Sequence, residues 1–462
     1  MLAYCGRHRG NESWCENMKL AILGGGGFRV PLVYGALLRD LGSPRIDRVS
    51  LYDVVPDRLD AIARVTAQMA QEHESAPSVE TTMDLDRALD GADFVFSAIR
   101  VGGLEGRTAD ERVALDLGIL GQETTGPGGL AYGMRTVPVA IHIAERIAQI
   151  CPLAWVINFT NPAGMITEAM QQVLGERVVG ICDSPIGLSR RAARALGLDP
   201  DHTSADYVGL NHLGWLRALG HDGRDVLPDL IADAGRLTTI EEGRLFGTEW
   251  IQILGCLPNE YLYYYYFTRD AVASIRGDAQ TRGEFLLDQQ RAFYDAVRAR
   301  PDAALHEWRR IREERDATYM KESRAELEAR DAADIEGGGY EGVALAIMGA
   351  VARNERSTMI LNVRNGSAVP GLPAEAVVEV PCTVDDDGPH PLATLALAGP
   401  QLGLVQQVKA VEQLTIEAAR SRSASLALMA FALHPLVDSV STARVLLQGY
   451  RDRHPDLGHL LR

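Results

Sequence analysis

Cys182 and His212 are residues of the types that bind transition metals. Cys182 ends the apolar run VVGIC, and His212 lies in the later segment GLNHL. A thiolate and an imidazole can together hold a divalent transition metal and leave coordination positions open for substrate oxygens. On spacing alone, a buried cysteine and a hydrogen-bonded histidine are the simpler interpretation.

Four consecutive glycines form a second candidate site. They follow the apolar run at residues 19–23 and precede a helical pattern that begins at Val30, so backbone N–H groups and a helix N-terminus could approach a pyrophosphate there. Asp53 ends the next apolar run, where a carboxylate accepts hydrogen bonds from a ribose diol and disfavours a 2′-phosphate. The candidate NAD-binding residues are Gly24, Gly25, Gly26, Gly27, Phe28, Arg29 and Asp53.

Two further groups could contact a substrate. Arg100 stands beside glycines after the fourth predicted strand, which suits a phosphate, although a salt bridge at a helix start is an equally good interpretation. Tyr261 opens the aromatic block YLYYYYF. Packing is the usual role of such tyrosines, but one next to a metal or cation could act as a general base.

These residues need elements that position them, and the first half of the chain alternates apolar runs with helical patterns. The runs predict six strands, at residues 19–23, 48–52, 79–82, 94–99, 154–158 and 178–182. Alternation of this kind predicts a doubly wound parallel sheet, a Rossmann-like domain over residues 18–190.

Residues 191–462 are expected to form a mostly helical α+β domain for substrate, metal and oligomerisation. Residues 190–330 are predicted to be mainly helical, and runs at residues 359–362 and 376–380 suggest a small sheet. Residues 1–17 have no apolar core and are predicted to be a disordered extension rather than a signal peptide.

Composition excludes several classes of function. The net charge of −16 argues against a nucleic-acid partner. The longest apolar runs are far short of the ~20 residues that a membrane span needs. The six cysteines include no C-x-x-C pair, which disfavours structural zinc and a disulfide framework and indicates a reducing, cytoplasmic location.

Taken together, the motifs resemble glycoside hydrolase family 4, the NAD- and manganese-dependent glycosidases, from Met18 onward. The matching blocks, besides the glycine run and Asp53, are GQETTGPGG at residues 121–129, NFTNP at 158–162, GICD at 180–183, GLNH at 209–212, PNEYL at 258–262 and NVRNG at 362–366. The resemblance implies a fold similar to that of lactate and malate dehydrogenases.

The resemblance also implies an unusual mechanism, outside the two-carboxylate scheme of most glycosidases. NAD takes a hydride from C3 of the sugar, a base removes the C2 proton with the metal stabilising the enediolate, and the aglycone leaves C1. Water then adds and the hydride returns, so NAD is recycled.

Carried over by position, the resemblance assigns a role to each candidate residue. It makes Cys182 and His212 the manganese ligands, Tyr261 the C2 base, Asp183 a general acid, Asn158 a contact to sugar hydroxyls, Arg100 and Arg282 contacts to a 6-phosphate, and Gln122 and Glu123 part of the site lining.

Two departures from the family pattern concern the cofactor and the anomer. Many members have serine and threonine in the first loop, where this chain has GGGGFRVP, so cofactor contacts there are expected from the backbone and Arg29. Asp183 and the segment AYGMR at residues 131–135 resemble α-type enzymes. The first loop, the Thr124-Thr125 pair and residues 209–213 and 259–262 resemble 6-phospho-β-glucosidases more closely.

The sequence therefore favours an enzyme that hydrolyses 6-phospho-β-glucosides, with a sugar phosphate as its partner and a homodimer or homotetramer as its assembly. The alternatives are a 6-phospho-α-glucosidase or α-galactosidase of the same family, an NAD-dependent 2-hydroxyacid dehydrogenase, and a non-catalytic protein that binds NAD or a sugar phosphate. The dehydrogenase would need a histidine–aspartate pair beside the carboxyl end of the sheet, which the sequence does not offer.

Overall fold

The computed structural model describes residues 17–317, 339–397 and 399–461. The predicted N-terminal extension lies outside the described residues except for Asn17, which begins the first strand. In the described parts of the chain, no helix is both long and apolar enough to cross a lipid bilayer.

One sheet contains all thirteen strands of the described residues. The strands are β1 (Asn17–Leu23), β2 (Arg45–Tyr52), β3 (Ser78–Thr82), β4 (Phe94–Ser97), β5 (Trp155–Asn158), β6 (Val178–Gly180), β7 (Ser204–Leu210), β8 (Leu213–His221), β9 (Arg224–Asp225), β10 (Leu257–Pro258), β11 (Ser357–Arg364), β12 (Val377–Asp385) and β13 (Gly388–Pro391).

The first six strands are parallel and lie in the order β3-β2-β1-β4-β5-β6, which confirms the predicted doubly wound, Rossmann-like arrangement. Six of the seven residues of β1 are buried, as expected for a strand covered by helices on both faces. β4 and β6 end earlier than the sequence predicted, because Ile99 and Cys182 leave the ladder and line a cavity.

Helices cover both faces of the sheet. They are α1 (Val30–Arg39), α2 (Pro56–Ala70), α3 (Leu85–Leu89), α4 (Gly103–Asp116), α5 (Pro127–Ile150), α6 (Ala163–Leu174), α7 (Ser184–Ala195), α8 (Leu227–Ala232), α9 (Ala234–Leu237), α10 (Glu241–Phe246), α11 (Thr248–Leu254), α12 (Tyr263–Tyr266), α13 (Thr268–Gly277), α14 (Arg282–Ala299), α15 (Ala304–Ala317), α16 (Tyr340–Arg353), α17 (Gly399–Ser421), α18 (Ala424–Leu433), α19 (Val440–Arg453) and α20 (Pro455–Leu460).

Strands of the second half extend the same sheet past β6, so the prediction of a small separate sheet is wrong. β11 pairs antiparallel with β6, and β12, β7, β8 and β10 follow in that order. The hairpin β7–β8 falls in a region predicted to be mainly helical. Its two-residue turn, Asn211-His212, contains no glycine, so the usual sequence signal of a tight hairpin is absent.

A single row of paired residues crosses this extended sheet at the carboxyl ends of β5 and β6. In that row Asn158 pairs with Gly180, Gly180 with Asn362, Asn362 with Glu379, and Glu379 with Gly209. A Cβ on Gly180 would lie only 2.8 Å from the Cβ of Asn362. Glycine at this position therefore leaves room for polar side chains of the neighbouring strands, in the interior of the sheet.

A buried ion pair holds helix α17 against the sheet. Lys409 Nζ lies 2.9 Å from Glu168 Oε2 and 2.5 Å from Glu412 Oε2. Glu168 also accepts a hydrogen bond of 2.9 Å from the backbone N–H of Val377, at the start of β12. Lys409 is buried, so its loss would leave two carboxylates without a counter-charge.

Lys409→Met is expected to lower the free energy of unfolding by about 3–5 kcal/mol for this reason. The control is Arg298→Met, because Arg298 is exposed and its ion pairs with Asp57 and Asp295 are worth at most about 1 kcal/mol. Urea unfolding followed by circular dichroism measures both variants, and equal losses in the two would contradict the account.

Candidate active site

A cavity of about 730 Å³ opens at the carboxyl ends of the parallel strands, where open α/β sheets bind ligands. Both halves of the chain contribute to its lining. The predicted site residues that line it are Gly24, Gly26, Gly27, Phe28, Arg29, Asp53, Arg100, Glu123, Cys182, Asp183, His212 and Tyr261.

The glycine turn joins β1 to α1 and is held by hydrogen bonds within the protein. The N–H groups of Gly24 and Gly25 donate to the carbonyl oxygen of Tyr52, and that of Gly27 donates to Gly24 O. Gly24 has φ of +84°, and a Cβ there would lie 2.5 Å from the carbonyl oxygen of Ala98. Since these N–H groups are used internally, an anion would approach the N-terminus of α1 and the guanidinium of Arg29, which caps that helix.

Asp53 follows the last residue of β2 and lies against the turn. Its Oδ2 accepts a hydrogen bond of 2.9 Å from Gly26 N, and its Oδ1 accepts one of 3.0 Å from Val55 N. Each carboxylate oxygen has a second acceptor position, so the oriented carboxylate can still receive the hydroxyls of a ribose.

His212 occupies the two-residue turn between β7 and β8 in a left-handed conformation, with φ of 63°. This conformation is uncommon for residues other than glycine. The Nδ1 of His212 lies 3.0 Å from the Oγ1 of Thr124, which leaves Nε2 for a ligand. Burial lowers the pKa of His212 to about 4, so the imidazole is neutral near pH 7, as metal binding requires.

Cys182 lies just beyond β6 and is buried. Burial raises the pKa of its thiol, and the carboxylates of Glu379 and Asp183 raise it further, so a bound metal would have to displace the thiol proton. One sulfur and one imidazole nitrogen in the same cavity fit a divalent transition metal that keeps positions free for substrate oxygens.

Tyr261 lies directly against His212. The two rings are stacked, with their centroids 3.6 Å apart and their planes 7° apart. Asn259 sets the position of this tyrosine. Its Oδ1 accepts a hydrogen bond of 3.1 Å from Tyr261 N, and its backbone N–H donates to Gly214 O in β8. The candidate base and a candidate metal ligand therefore share one wall of the cavity.

A buried carboxylate that the sequence analysis missed connects the turn that carries His212 with the segment that carries Asn259 and Tyr261. Glu379 Oε1 accepts hydrogen bonds from Asn362 Nδ2 at 2.8 Å and from Asn211 Nδ2 at 3.3 Å, and Oε2 accepts one of 3.2 Å from the hydroxyl of Tyr207. The same hydroxyl accepts a hydrogen bond of 3.3 Å from Asn259 Nδ2. One side chain thus links the neighbour of His212 to the residue that positions Tyr261.

Burial raises the pKa of Glu379 to about 7, although hydrogen bonds from Asn362, Asn211 and Tyr207 oppose this shift. A sequence signal for this residue did exist. Glu379 is the charged residue in the apolar strand VVEV, and a charge inside a buried strand indicates a partner or a function.

Arg100 and Arg107 share the carboxylate of Glu123. Arg100 Nη1 lies 2.7 Å from Glu123 Oε2, and Arg107 Nη1 lies 2.8 Å from Glu123 Oε1. Burial alone would raise the pKa of Glu123, but the two guanidinium groups outweigh it and lower the pKa to about 2. Arg100 is therefore oriented by an ion pair at the edge of the cavity.

Arg315 is a second residue that the sequence analysis missed. It lines the cavity, and burial together with the nearby charges of Arg29, Arg282 and Arg107 lowers its pKa. Arg29, Arg100, Arg107, Arg282 and Arg315 outnumber the carboxylates of Glu111 and Glu123 beside them, which favours a bound anion with more than one charge, such as a phosphate.

Asn158 lies outside the cavity lining in this structure, so its contact with sugar hydroxyls stays a prediction. Asn158 is fully buried, its Oδ1 accepts a hydrogen bond from Thr160 N, and its Nδ2 donates to Thr167 Oγ1. Asn161 from the same motif lines the cavity instead. The Oδ1 of Asn161 is buried and has no hydrogen-bond partner among the described residues, so it can accept one from a ligand.

Arg282 and Gly25 are also outside the cavity lining, and their roles stay predictions. Arg282 lies outside the cavity lining, where its Nη2 donates to the carbonyl oxygen of Arg315 and its guanidinium lies over the ring of Phe285. Gly25 packs against β2, because a Cβ there would lie 2.8 Å from the backbone nitrogen of Tyr52.

Comparison with known proteins gives this geometry a family. Residues 19–198 match the model of the family 4 glycosyl hydrolases, and residues 207–437 match the model of the family 4 glycosyl hydrolase C-terminal domain. The chain is 30% identical to a probable 6-phospho-beta-glucosidase of Bacillus subtilis, over 95% of this chain and 97% of the relative. It is 29% identical to a 6-phospho-alpha-glucosidase of Leptotrichia buccalis, over 97% of this chain and 100% of the relative.

Solved structures agree with these matches. The 6-phospho-beta glucosidase from Thermotoga maritima with manganese, NAD+ and glucose-6-phosphate has a TM-score of 0.80 and 26% identity, over 95% of this chain and 99% of that chain. A 6-phospho-alpha-glucosidase from gut microorganisms with NAD and Mn2+ has a TM-score of 0.78 and 26% identity, over 94% and 98%.

The predicted likeness in fold to lactate and malate dehydrogenases is also confirmed. Malate dehydrogenase of Cryptosporidium parvum has a TM-score of 0.52 at 14% identity, over 88% of this chain and 99% of that chain, which shows a common fold alone. With both halves matched and near-full-length relatives at 30% identity, the chain belongs to the family 4 glycosyl hydrolases.

Proposed function

We propose that this chain hydrolyses 6-phosphoglucosides and uses NAD and a divalent metal, manganese in the first instance, as resident cofactors. The observation that carries the proposal is the stacking of Tyr261 on His212 in the same cavity as Cys182 and the glycine turn. Relatives of both anomeric classes support the coarser assignment, and their structures hold NAD, manganese and glucose-6-phosphate.

In this proposal NAD supplies a hydride acceptor for the sugar, and the metal supplies a Lewis acid for its hydroxyl oxygens. Cys182 and His212 would hold the metal, and Asp53 would accept hydrogen bonds from the ribose on the adenosine side of NAD. Tyr261 takes the proton from C2 of the sugar, and Asp183, at the N-terminus of α7, protonates the departing aglycone oxygen.

Recognition of the 6-phosphate falls to the positive wall of the cavity. Arg100 is held by Glu123, so its guanidinium is positioned before an anion arrives, and Arg315 lines the same cavity close to other arginines. Asn161 offers its buried Oδ1 to a sugar hydroxyl. Arg282 donates a hydrogen bond to the backbone carbonyl oxygen of Arg315, and in this proposal it affects the phosphate only through Arg315.

We infer the β anomer for the substrate, on the first loop, the Thr124-Thr125 pair and the segments at residues 209–213 and 259–262. A 6-phospho-α-glucosidase or an α-galactosidase is the alternative, and Asp183 favours it. A cytoplasmic location and a homodimer or homotetramer stay predictions of the sequence.

A panel of p-nitrophenyl α- and β-glucosides, with and without the 6-phosphate, tests this proposal. We expect nitrophenol release from the β-linked 6-phosphate, dependent on both NAD and Mn²⁺ and without net formation of NADH. Release from the α-linked 6-phosphate alone would overturn the anomer, whereas full activity after removal of both cofactors would overturn the whole proposal.

Tyr261→Phe is expected to lower kcat by at least ~10²-fold, because it removes the proposed base but retains the ring that packs on His212. Tyr265→Phe is the matched control, since Tyr265 belongs to the same aromatic block but lies against His434, outside the cavity lining. Steady-state kinetics at saturating NAD and Mn²⁺ measure both. A Tyr261→Phe enzyme as active as the control would remove Tyr261 from the mechanism.

A further inference from the structure

Aromatic side chains from the second half of the chain donate hydrogen bonds to carbonyl oxygens of the glycine turn. Tyr294 Oη donates to Gly26 O at 2.7 Å, Trp308 Nε1 to Phe28 O at 2.8 Å, and Tyr340 Oη to Arg29 O at 3.0 Å. We name these three donors, Tyr294, Trp308 and Tyr340, the aromatic clamp. They come from three helices, α14, α15 and α16.

The aromatic clamp is a rigid part of the core. Trp308 and Tyr340 are each 3% exposed and Tyr294 is 9% exposed. Phe28 of the turn lies between Trp308, at a ring distance of 6.0 Å, and Phe293, at 5.2 Å. Side chains packed this closely hold one rotamer, so their hydrogen bonds fix the turn rather than follow it.

These hydrogen bonds determine which way three peptide groups of the turn point. In a trans peptide the C=O and the following N–H point in opposite directions. With the carbonyl oxygens of Gly26, Phe28 and Arg29 held by the aromatic clamp, the N–H groups that follow them point away from it. Those of Gly27 and Val30 donate within the turn, to Gly24 O and Gly27 O. Carbonyl oxygens would repel a phosphate, so the clamp keeps negative ends of peptide dipoles away from an anion at the start of α1.

The sequence of the turn explains why outside donors matter here. Residues 27–30 are Gly, Phe, Arg and Val, none of which carries a hydroxyl that could bond to its own loop. Glycine also allows more backbone conformations than any other residue, so a run of four needs external restraint. Hydrogen bonds to Tyr52 and Asp53 supply part of that restraint, and helices of the second half add to it.

We propose that the aromatic clamp positions the glycine turn for NAD, so that residues outside the nucleotide-binding half set the affinity for the cofactor. This inference rests on the proposed function, in which NAD binds at that turn. Trp308 and Tyr340 are positioning residues, because they act through the backbone of the turn. Tyr294 acts on the turn in the same way and also lines the cavity.

Tyr294→Phe and Tyr340→Phe, singly and together, test this role in the full chain. Each variant keeps the ring and loses only the hydroxyl that holds a carbonyl oxygen. The matched control is Tyr34→Phe, because Tyr34, on α1, is also buried and donates a hydrogen bond of 2.8 Å to the carbonyl oxygen of Pro77, away from the turn. Isothermal titration calorimetry measures the Kd for NAD, and thermal unfolding without NAD measures the stability of each protein.

We expect each single clamp variant to bind NAD about threefold to tenfold more weakly, and the double variant more weakly still. In the clamp variants, KM for NAD rises by a larger factor than kcat falls. Tyr34→Phe lowers the unfolding temperature by a similar amount and keeps the wild-type Kd. A wild-type Kd in both clamp variants, or an equal loss in Tyr34→Phe, would overturn the positioning role. A wild-type chain that does not bind NAD would instead overturn the proposed function, and the clamp's role with it.

Discussion

The carboxylate of Glu379 lies inside the sheet and ties together the two loops on which the chemistry of the site depends. It receives hydrogen bonds from Asn211, next to His212, and from Tyr207, whose hydroxyl is bonded to Asn259. A carboxylate this deeply buried is tolerated only where donors satisfy it, so each donor is held in place by the same requirement.

This constraint follows from how the second half joins the first. A doubly wound sheet of six strands would end at β6, but β11 pairs with β6 and carries β12, β7 and β8 with it. The row that contains Gly180, Asn362 and Glu379 therefore lies in the interior, and the hairpin turn at His212 is brought to the cavity that β1, β2 and β4 open on their carboxyl side. The glycine turn and the candidate metal ligands line the same cavity because their strands belong to one sheet.

Much of the first half was predictable, because parallel strands buried on both faces are short apolar runs and the helices between them are periodic. The second half was harder. The β7–β8 hairpin carries His212 at φ of 63° where glycine would be usual, so the turn has no ordinary signal. The region predicted to be mainly helical contains four strands, β7 to β10.

Some of the site residues could likewise be predicted from the sequence and others could not. Cys182, His212 and Tyr261 could be singled out because a resemblance in several blocks reinforced weak residue-type arguments. The direction of a side chain could not be predicted from a motif, and in the segment NFTNP the asparagine that lines the cavity is Asn161 rather than Asn158. Arg315 and Glu379 depend on contacts between segments distant in sequence, which spacing alone does not reveal.

In the proposed mechanism, the bond to the aglycone breaks only after a proton has left C2 of the sugar. Hydrolysis in D₂O of the nitrophenyl glucoside 6-phosphate that the enzyme accepts, followed by NMR of the released sugar phosphate, tests this most directly. Removal of the proton by Tyr261 and its return from solvent predict deuterium at C2 of the product. A product that keeps its original hydrogen at C2 would contradict the account and indicate direct displacement at C1 by a pair of carboxylates.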